Sequence, residues 1–155
     1  MALINVTLPD GNVNEYATGI TCAEVITDAL GRKHGCLAAR IDGVECDLSR
    51  VLDADCSIVG ILSDSDEGLH VLRHSAAHLL AQAVMSLYPN AKPTIGPAVD
   101  RGFYYDFAME QIVESDLKAI QKKMQELARK NFTVERVELT DEELQDHFAD
   151  NPYKL

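Results

Sequence analysis

Residues 63–68 read Ser-Asp-Ser-Asp-Glu-Gly, a run without one apolar side chain, and the chain changes character across it. Before the run, apolar residues come in short alternating stretches broken by turn chemistry. After it, they recur at helical spacing. A polar break of this kind marks a domain boundary, so two small domains are expected, residues 1–62 and residues 63–155. With 155 residues, 46% of them hydrophobic, the chain is long enough for each to bury a core.

In the first part, Leu3 to Leu8 is rich in strand formers, and Pro9-Asp10-Gly11-Asn12 is turn chemistry that leads into a second strand near Val13 to Ala17. Thr21-Cys22-Ala23-Glu24 has the spacing of a capping box, which opens a short helix closed by Gly31. Leu37 to Ile41 and Val44 to Cys46 flank Asp42-Gly43 as a second hairpin, and Cys56 to Leu62 supplies a last apolar strand. Strand, strand, helix, then three strands predicts an α+β fold, a β-grasp (ubiquitin-like) sheet wrapped on one helix.

In the second part, Leu69, Leu72, Ala76, Leu79, Ala83 and Leu87 predict a helix of roughly five turns that ends before Pro89. Thr94 to Val99 and Phe103 to Phe107 read as strands around Asp100-Arg101-Gly102. A second long helix is expected over Ser115 to Lys130, a strand over Thr133 to Leu139, and a short final helix capped at Thr140. No repeat or low-complexity tract interrupts this order.

The four cysteines, Cys22, Cys36, Cys46 and Cys56, all fall in the first domain and form no Cys-x-x-Cys pair. They read as reduced thiols packed like small hydrophobes. The N-terminus has no basic region leading into a long apolar core, and no apolar run is long enough to span a bilayer. Neither a signal peptide nor a transmembrane span is expected. The formal charge of −11 divides as −5 over residues 1–62 and −6 over residues 63–155, which argues against gripping nucleic acid with the whole surface. A local basic face is compatible with it. Lys118, Lys122, Lys123, Arg129 and Lys130 form such a row on the second long helix, where i,i+4 pairs with Glu114 and Glu126 make a solvated helix face the plainer reading.

His74 and His78 stand four residues apart, so both imidazoles occupy one helix face one turn apart, with His70 one turn earlier. Such a pair can share a water, a substrate or a metal. A zinc-protease motif requires Glu after the first His, and Ser75 stands there. A plain metal site using His70, His74 and His78 stays open, as does a row of histidines that merely covers the surface. His147 reads as a surface residue of the last helix. Gly96 in Ile95-Gly96-Pro97 implies a close approach to the backbone, and Tyr104 and Tyr105 point to opposite faces of their strand. One ring can fill a core while the other faces a pocket.

INVTLPDG, then EGLHVLRHSAAHLLAQAV, then IGPAVDRGFYYDF, in this order, resemble the N-terminal region of the threonyl-tRNA synthetases. The resemblance covers the whole chain: residues 1–62 look like the TGS domain, and residues 63–155 look like the first part of an α/β editing domain with long helices on a small sheet. It implies hydrolytic proofreading of serine mischarged on threonine tRNA, because one missing methyl is worth only about 1–3 kcal/mol in a binding pocket. By motif position it implies His74 and His78 as catalytic residues, and Gly96 and Tyr105 as substrate-binding residues bordering the tRNA 3′ acceptor end. It implies no metal in the editing site.

The family completes that site with a later Cys-x-x-x-His pair, and no Cys follows Cys56 here. The expectation is therefore a truncated piece of a cytoplasmic, homodimeric threonine–tRNA ligase that acts with threonine tRNA and with the rest of the synthetase. ATP and the catalytic zinc would belong to an absent ligase domain, and this chain would hold no cofactor. Editing by the isolated chain should be weak or absent. Two other readings follow from the residues alone: a non-catalytic β-grasp interaction module, or a histidine-based metal-binding regulator.

Overall fold

The computed structural model describes residues 2–154 and parts into two compact units, Met1–Leu72 and Arg73–Leu155. In the first, β1 (Leu3–Thr7) and β2 (Val13–Ala17) form the expected hairpin. Its turn is fixed by Asp10, whose carboxylate accepts from the Asn12 amide at 3.0 Å. The capping box is complete. Glu24 N donates to Thr21 Oγ1 at 3.3 Å and Thr21 N donates to Glu24 Oε2 at 2.8 Å, which starts α1 (Cys22–Leu30). Two short strands absent from the sequence reading, β3 (Ile20–Thr21) and β6 (Val51–Leu52), pair with one another at the entrance to α1.

The second hairpin comprises β4 (Cys36–Ile41) and β5 (Val44–Cys46), turning on Asp42 and Gly43 at φ 49° and 85°, the left-handed pair that a two-residue hairpin loop requires. With β7 (Cys56–Leu62) the main sheet has the order β2-β1-β7-β4-β5, and β1 and β7 run parallel at its centre. This is the β-grasp arrangement. Val25 and Ile26 from α1 meet Ile4, Val6, Ala39 and Ile58 from the sheet in one buried cluster. No cysteine is bridged: Cys22 and Cys36 are buried, Cys46 and Cys56 half-buried.

The polar run after β7 is a helix start. Ser65 Oγ donates to the Leu62 carbonyl at 2.7 Å and accepts from the Gly68 amide at 3.0 Å, so Ser65 caps α2 (Asp66–Leu87). Gly68 is required there, because a Cβ would strike the Leu62 carbonyl. Arg40 Nη2 on β4 holds Glu67 in the first turn of α2 at 2.8 Å. The helix is continuous from residue 66, three residues before the first leucine of the predicted stripe.

Of the stripe expected on α2, Ala83 is buried and Ala76 and Leu79 are half-buried, but its outer leucines are not. Ala77, Ala81, Ala83 and Val84 are buried, while Leu69 and Leu72 at the start of the helix, and Leu87 at its end, are exposed. Ala83 and Val84 pack with Ile120 of α3 (Glu114–Lys130) and with Ala91, and larger side chains that stay partly exposed, Leu80, Phe107 and Met124 among them, close around this cluster. The two strands predicted around Asp100-Arg101-Gly102 are an interrupted hairpin. Its inner part pairs β8 (Lys92–Pro93) with β11 (Phe107–Ala108), and its tip pairs β9 (Ala98–Val99) with β10 (Gly102–Phe103). The ladder lapses at Pro97, which has no N–H to donate.

The strand predicted over Thr133 to Leu139 is not formed. That segment pairs with no strand among the described residues, leaving Val134 80% and Val137 70% exposed, because alternation alone cannot supply a partner edge. The last predicted helix is present as α4 (Asp141–His147), capped by Thr140 and Glu143. No helix is long and apolar enough to cross a membrane among the described residues.

Candidate functional site

α2 carries His74 and His78 on its exposed side, next to the buried alanines that seat the helix. Their Nε2 atoms lie 3.0 Å apart, with ring centroids at 4.6 Å and an edge-on angle of 71°. One imidazole therefore donates its Nε2–H to the lone pair of the other. Burial of part of the ring holds the pKa of His78 below the ordinary histidine range, and the charges of His74 and Lys154 push it the same way. His78 is thus held in its neutral form near neutral pH. Such a pair holds one proton between two nitrogens and can take another from a bound hydroxyl or water.

Gly96 and Tyr105 are in contact with each other. A Cβ at Gly96 would lie inside the Tyr105 ring, so glycine is what allows the ring to rest against this strand. The ring is fixed from its neighbours as well: it stacks on Phe107 at 4.9 Å between centroids and 26° between planes. Backbone bonds hold the two strands in register on either side, Thr94 N to Asp106 O at 3.0 Å and Asp106 N to Ile95 O at 2.8 Å. Tyr104 is exposed and Tyr105 half-buried, and both stand in the break between β10 and β11 rather than in the strand the sequence predicts.

Lys154 was not legible as a site residue. Its Nζ donates to the Thr94 carbonyl at 2.9 Å and stands 5.9 Å from the centre of the Tyr105 ring, while its charge reaches His78. Asn151 Nδ2 donates to the Pro93 carbonyl at 3.0 Å, so the segment from Asn151 to Lys154 is laid along the β8 strand and the two residues that follow it. A lone Lys some 50 residues beyond the tyrosine carries no local pattern. Only the long-range bonds to Pro93 and Thr94 reveal it.

His70, one turn before His74, is exposed, and no set of three His, Cys, Asp or Glu side chains converges as a metal site would among the described residues. His147 lies exposed on α4 with its ring against Phe148. On α3, Lys123 and Lys130 both pair with Glu126, at 3.2 and 3.3 Å, so one carboxylate is shared by two members of the basic row and offsets one of their two charges.

Residues 4–61 match the model of the TGS domain. Over 143 residues the chain is 47% identical to the threonine–tRNA ligase of Acidithiobacillus ferrooxidans, an alignment that covers 90% of this chain and 22% of the relative. It is 43% identical to that of Streptococcus suis, covering 99% of this chain and 24% of the relative. To the threonine–tRNA ligase of Staphylococcus carnosus it is 41% identical over 100% of its length. The chain spans less than a quarter of the length of these curated relatives.

Proposed function

From a chain whose residues 4–61 are a TGS domain, and which is related to threonine–tRNA ligases over nine-tenths or more of its length, we infer a part in aminoacylation of threonine tRNA in the cytoplasm. Its share is proofreading: residues 63–155 contribute half of a hydrolytic site for the ester of serine on threonine tRNA. The observation that carries this reading is the His74–His78 pair, two exposed imidazoles with Nε2 atoms 3.0 Å apart.

Hydrolysis of an aminoacyl ester needs a base that takes a proton from water, or from the neighbouring ribose hydroxyl, and returns it to the leaving oxygen. A neutral imidazole does both near pH 7. With two in series, one accepts the proton while the other orients it, and the shared hydrogen bond keeps the accepting lone pair defined. Lys154 adds a fixed positive charge beside Tyr105, suited to the electron-rich oxygens of an acceptor end. The Tyr105 ring against Gly96 supplies a flat apolar wall for the terminal nucleoside. Ligation itself, with its ATP and zinc, is assigned to parts of the synthetase outside these residues.

The test is deacylation of seryl-tRNA specific for threonine, with threonyl-tRNA as control, by this chain and by a version extended through the relatives' remaining editing segment. The extended version should hydrolyse the seryl ester, and both His74→Ala and His78→Ala should slow it by at least 100-fold, at the low end of what acid–base catalysis contributes. An extended, folded version without activity, or variants as active as the parent, would leave the histidines structural and favour the interaction-module reading.

A further inference from the structure

Two nucleophilic side chains meet inside the TGS domain, at a place the proofreading reading does not use. Cys22 is the first residue of α1 and is fully buried, Cys46 is the last residue of β5 and is half-buried, and their Sγ atoms are 3.9 Å apart. The backbone holds them there. Cys22 N donates to the Arg50 carbonyl and Ala23 N to the Leu48 carbonyl, at 2.9 and 2.8 Å, which stitches the loop after β5 to the first turn of α1. Cys46 pairs with Ala39 across the hairpin, and its Sγ rests 3.6 Å from the Ala39 carbonyl.

We propose that Cys22 and Cys46 form a reversible disulfide when the protein meets a peroxide, tying the start of α1 to the end of β5. Cys46 reacts first because it is the more open of the two; its thiolate attacks one peroxide oxygen, the O–O bond breaks, and hydroxide leaves a sulfenic acid behind. Cys22 then gives up its proton and attacks the sulfenic sulfur, forming the S–S bond and expelling a second hydroxide. The two thiol protons convert the two hydroxides to water. Two thiols have lost two electrons, and one peroxide has taken them.

Closing the gap to the roughly 2.05 Å of a disulfide takes side-chain rotation and a small movement of the loop after β5, which is exposed at Asp47, Ser49 and Arg50. Burial pushes the Cys22 thiol up to about 12, so it is a poor first nucleophile. Burial also raises Cys46, and the Arg50 charge works against that rise. Cys56 packs against the same cluster and is as open as Cys46, which makes it the internal control.

The experiment treats the folded chain with excess hydrogen peroxide, blocks remaining thiols by alkylation, and maps the peptides by mass spectrometry. The expected product is a monomer lacking two hydrogens, with the Cys22 peptide joined to the Cys46 peptide and released by dithiothreitol. Cys56→Ser should give the same bridge in the same yield, and Cys46→Ser should abolish it while retaining the native circular dichroism spectrum. A bridge through Cys36 or Cys56, a cross-linked dimer, or overoxidation of Cys46 with Cys22 left as a thiol would overturn the proposal. So would four thiols that stay free under conditions that oxidise a small-molecule dithiol.

Discussion

The β-grasp unit closes on itself, whereas the unit that carries the histidines does not. In the first, one sheet and one helix bury a contiguous set, with Val6, Cys22, Val25 and Ala39 removed from solvent altogether. In the second, the buried cluster is Ala83, Val84, Ala91 and Ile120, two of them alanines, the larger side chains around it, such as Leu80, Phe107 and Met124, are only partly buried, and Leu117, Phe132, Val134 and Val137 are more than half exposed. Apolar area removed from water contributes about 25 cal/mol per Å², so side chains that stay partly exposed contribute less than the fully enclosed Ile and Val of the sheet. Stability and chemistry are divided between the units.

The largest effect expected of a single substitution therefore lies in the first unit. Ile58→Ala empties a fully enclosed position and should cost about 2–5 kcal/mol, against the low end of that range for Ile120→Ala, whose larger neighbours are only partly buried. Urea unfolding followed by circular dichroism checks the ranking. Equal losses would mean that the second cluster is as well packed as the first, and the comparison would break.

Gly96→Ala comes next, at about 1–3 kcal/mol, because the new methyl must displace the Tyr105 ring from its strand. The partner change decides whether that is the cause. If the contact is responsible, Gly96→Ala combined with Tyr105→Ala will cost less than the two single losses added together. Strict additivity would place the penalty of Gly96→Ala elsewhere.

How much of this could be read from the residues follows the same division. Asp42-Gly43, Thr21-x-x-Glu24 and the alternation of Leu3 to Thr7 are local rules, and the first unit is built almost wholly of them. The long α2 was legible from its spacing, but its buried face only in part. Leucines dominate a hydrophobicity count, yet the most deeply buried residues of the helix are Ala77, Ala81, Ala83 and Val84. Thr133 to Leu139 alternates as a strand should, and no edge receives it among the described residues. In the site, the histidine pair followed from a separation of four, while the approach of Lys154 depends on bonds across 58 and 60 residues, which no local pattern encodes.

Two identical capping boxes sharpen the comparison at about 1 kcal/mol. Thr21→Ala removes the cap of a helix that belongs to the closed core, so its cost of about 1 kcal/mol should appear in global unfolding. Thr140→Ala removes the same bonds from α4, which buries no residue. There the loss should appear only as faster amide exchange over residues 141–147, with the midpoint of global unfolding unmoved. A matching fall in global stability would show that α4 is integral to the second unit's core.

The smallest expected effect is electrostatic and belongs to the site. His78 is held below the ordinary histidine pKa first by desolvation, then by the His74 charge, and last by Lys154. In the unfolded chain it titrates near 6.5. Below that pH the unfolded state binds a proton that the folded state still refuses, so stability declines as the pH falls from about 6.5 through the folded value, and levels off beneath it. Above 6.5 both states are neutral and His78 contributes no slope. The same depression keeps His78 unprotonated on the acid side of 6.5, so the acid limb of the proposed ester hydrolysis should lie below that of free imidazole. Because Lys154 is the last of the three causes, Lys154→Gln should raise the His78 pKa by less than His74→Asn does. Proton NMR titration of the His78 ring in the parent and both variants orders the three. A parent value at or above 6.5 would remove the basis for calling His78 the poised base, and an unmoved value in Lys154→Gln would uncouple the lysine beside Tyr105 from the histidine pair.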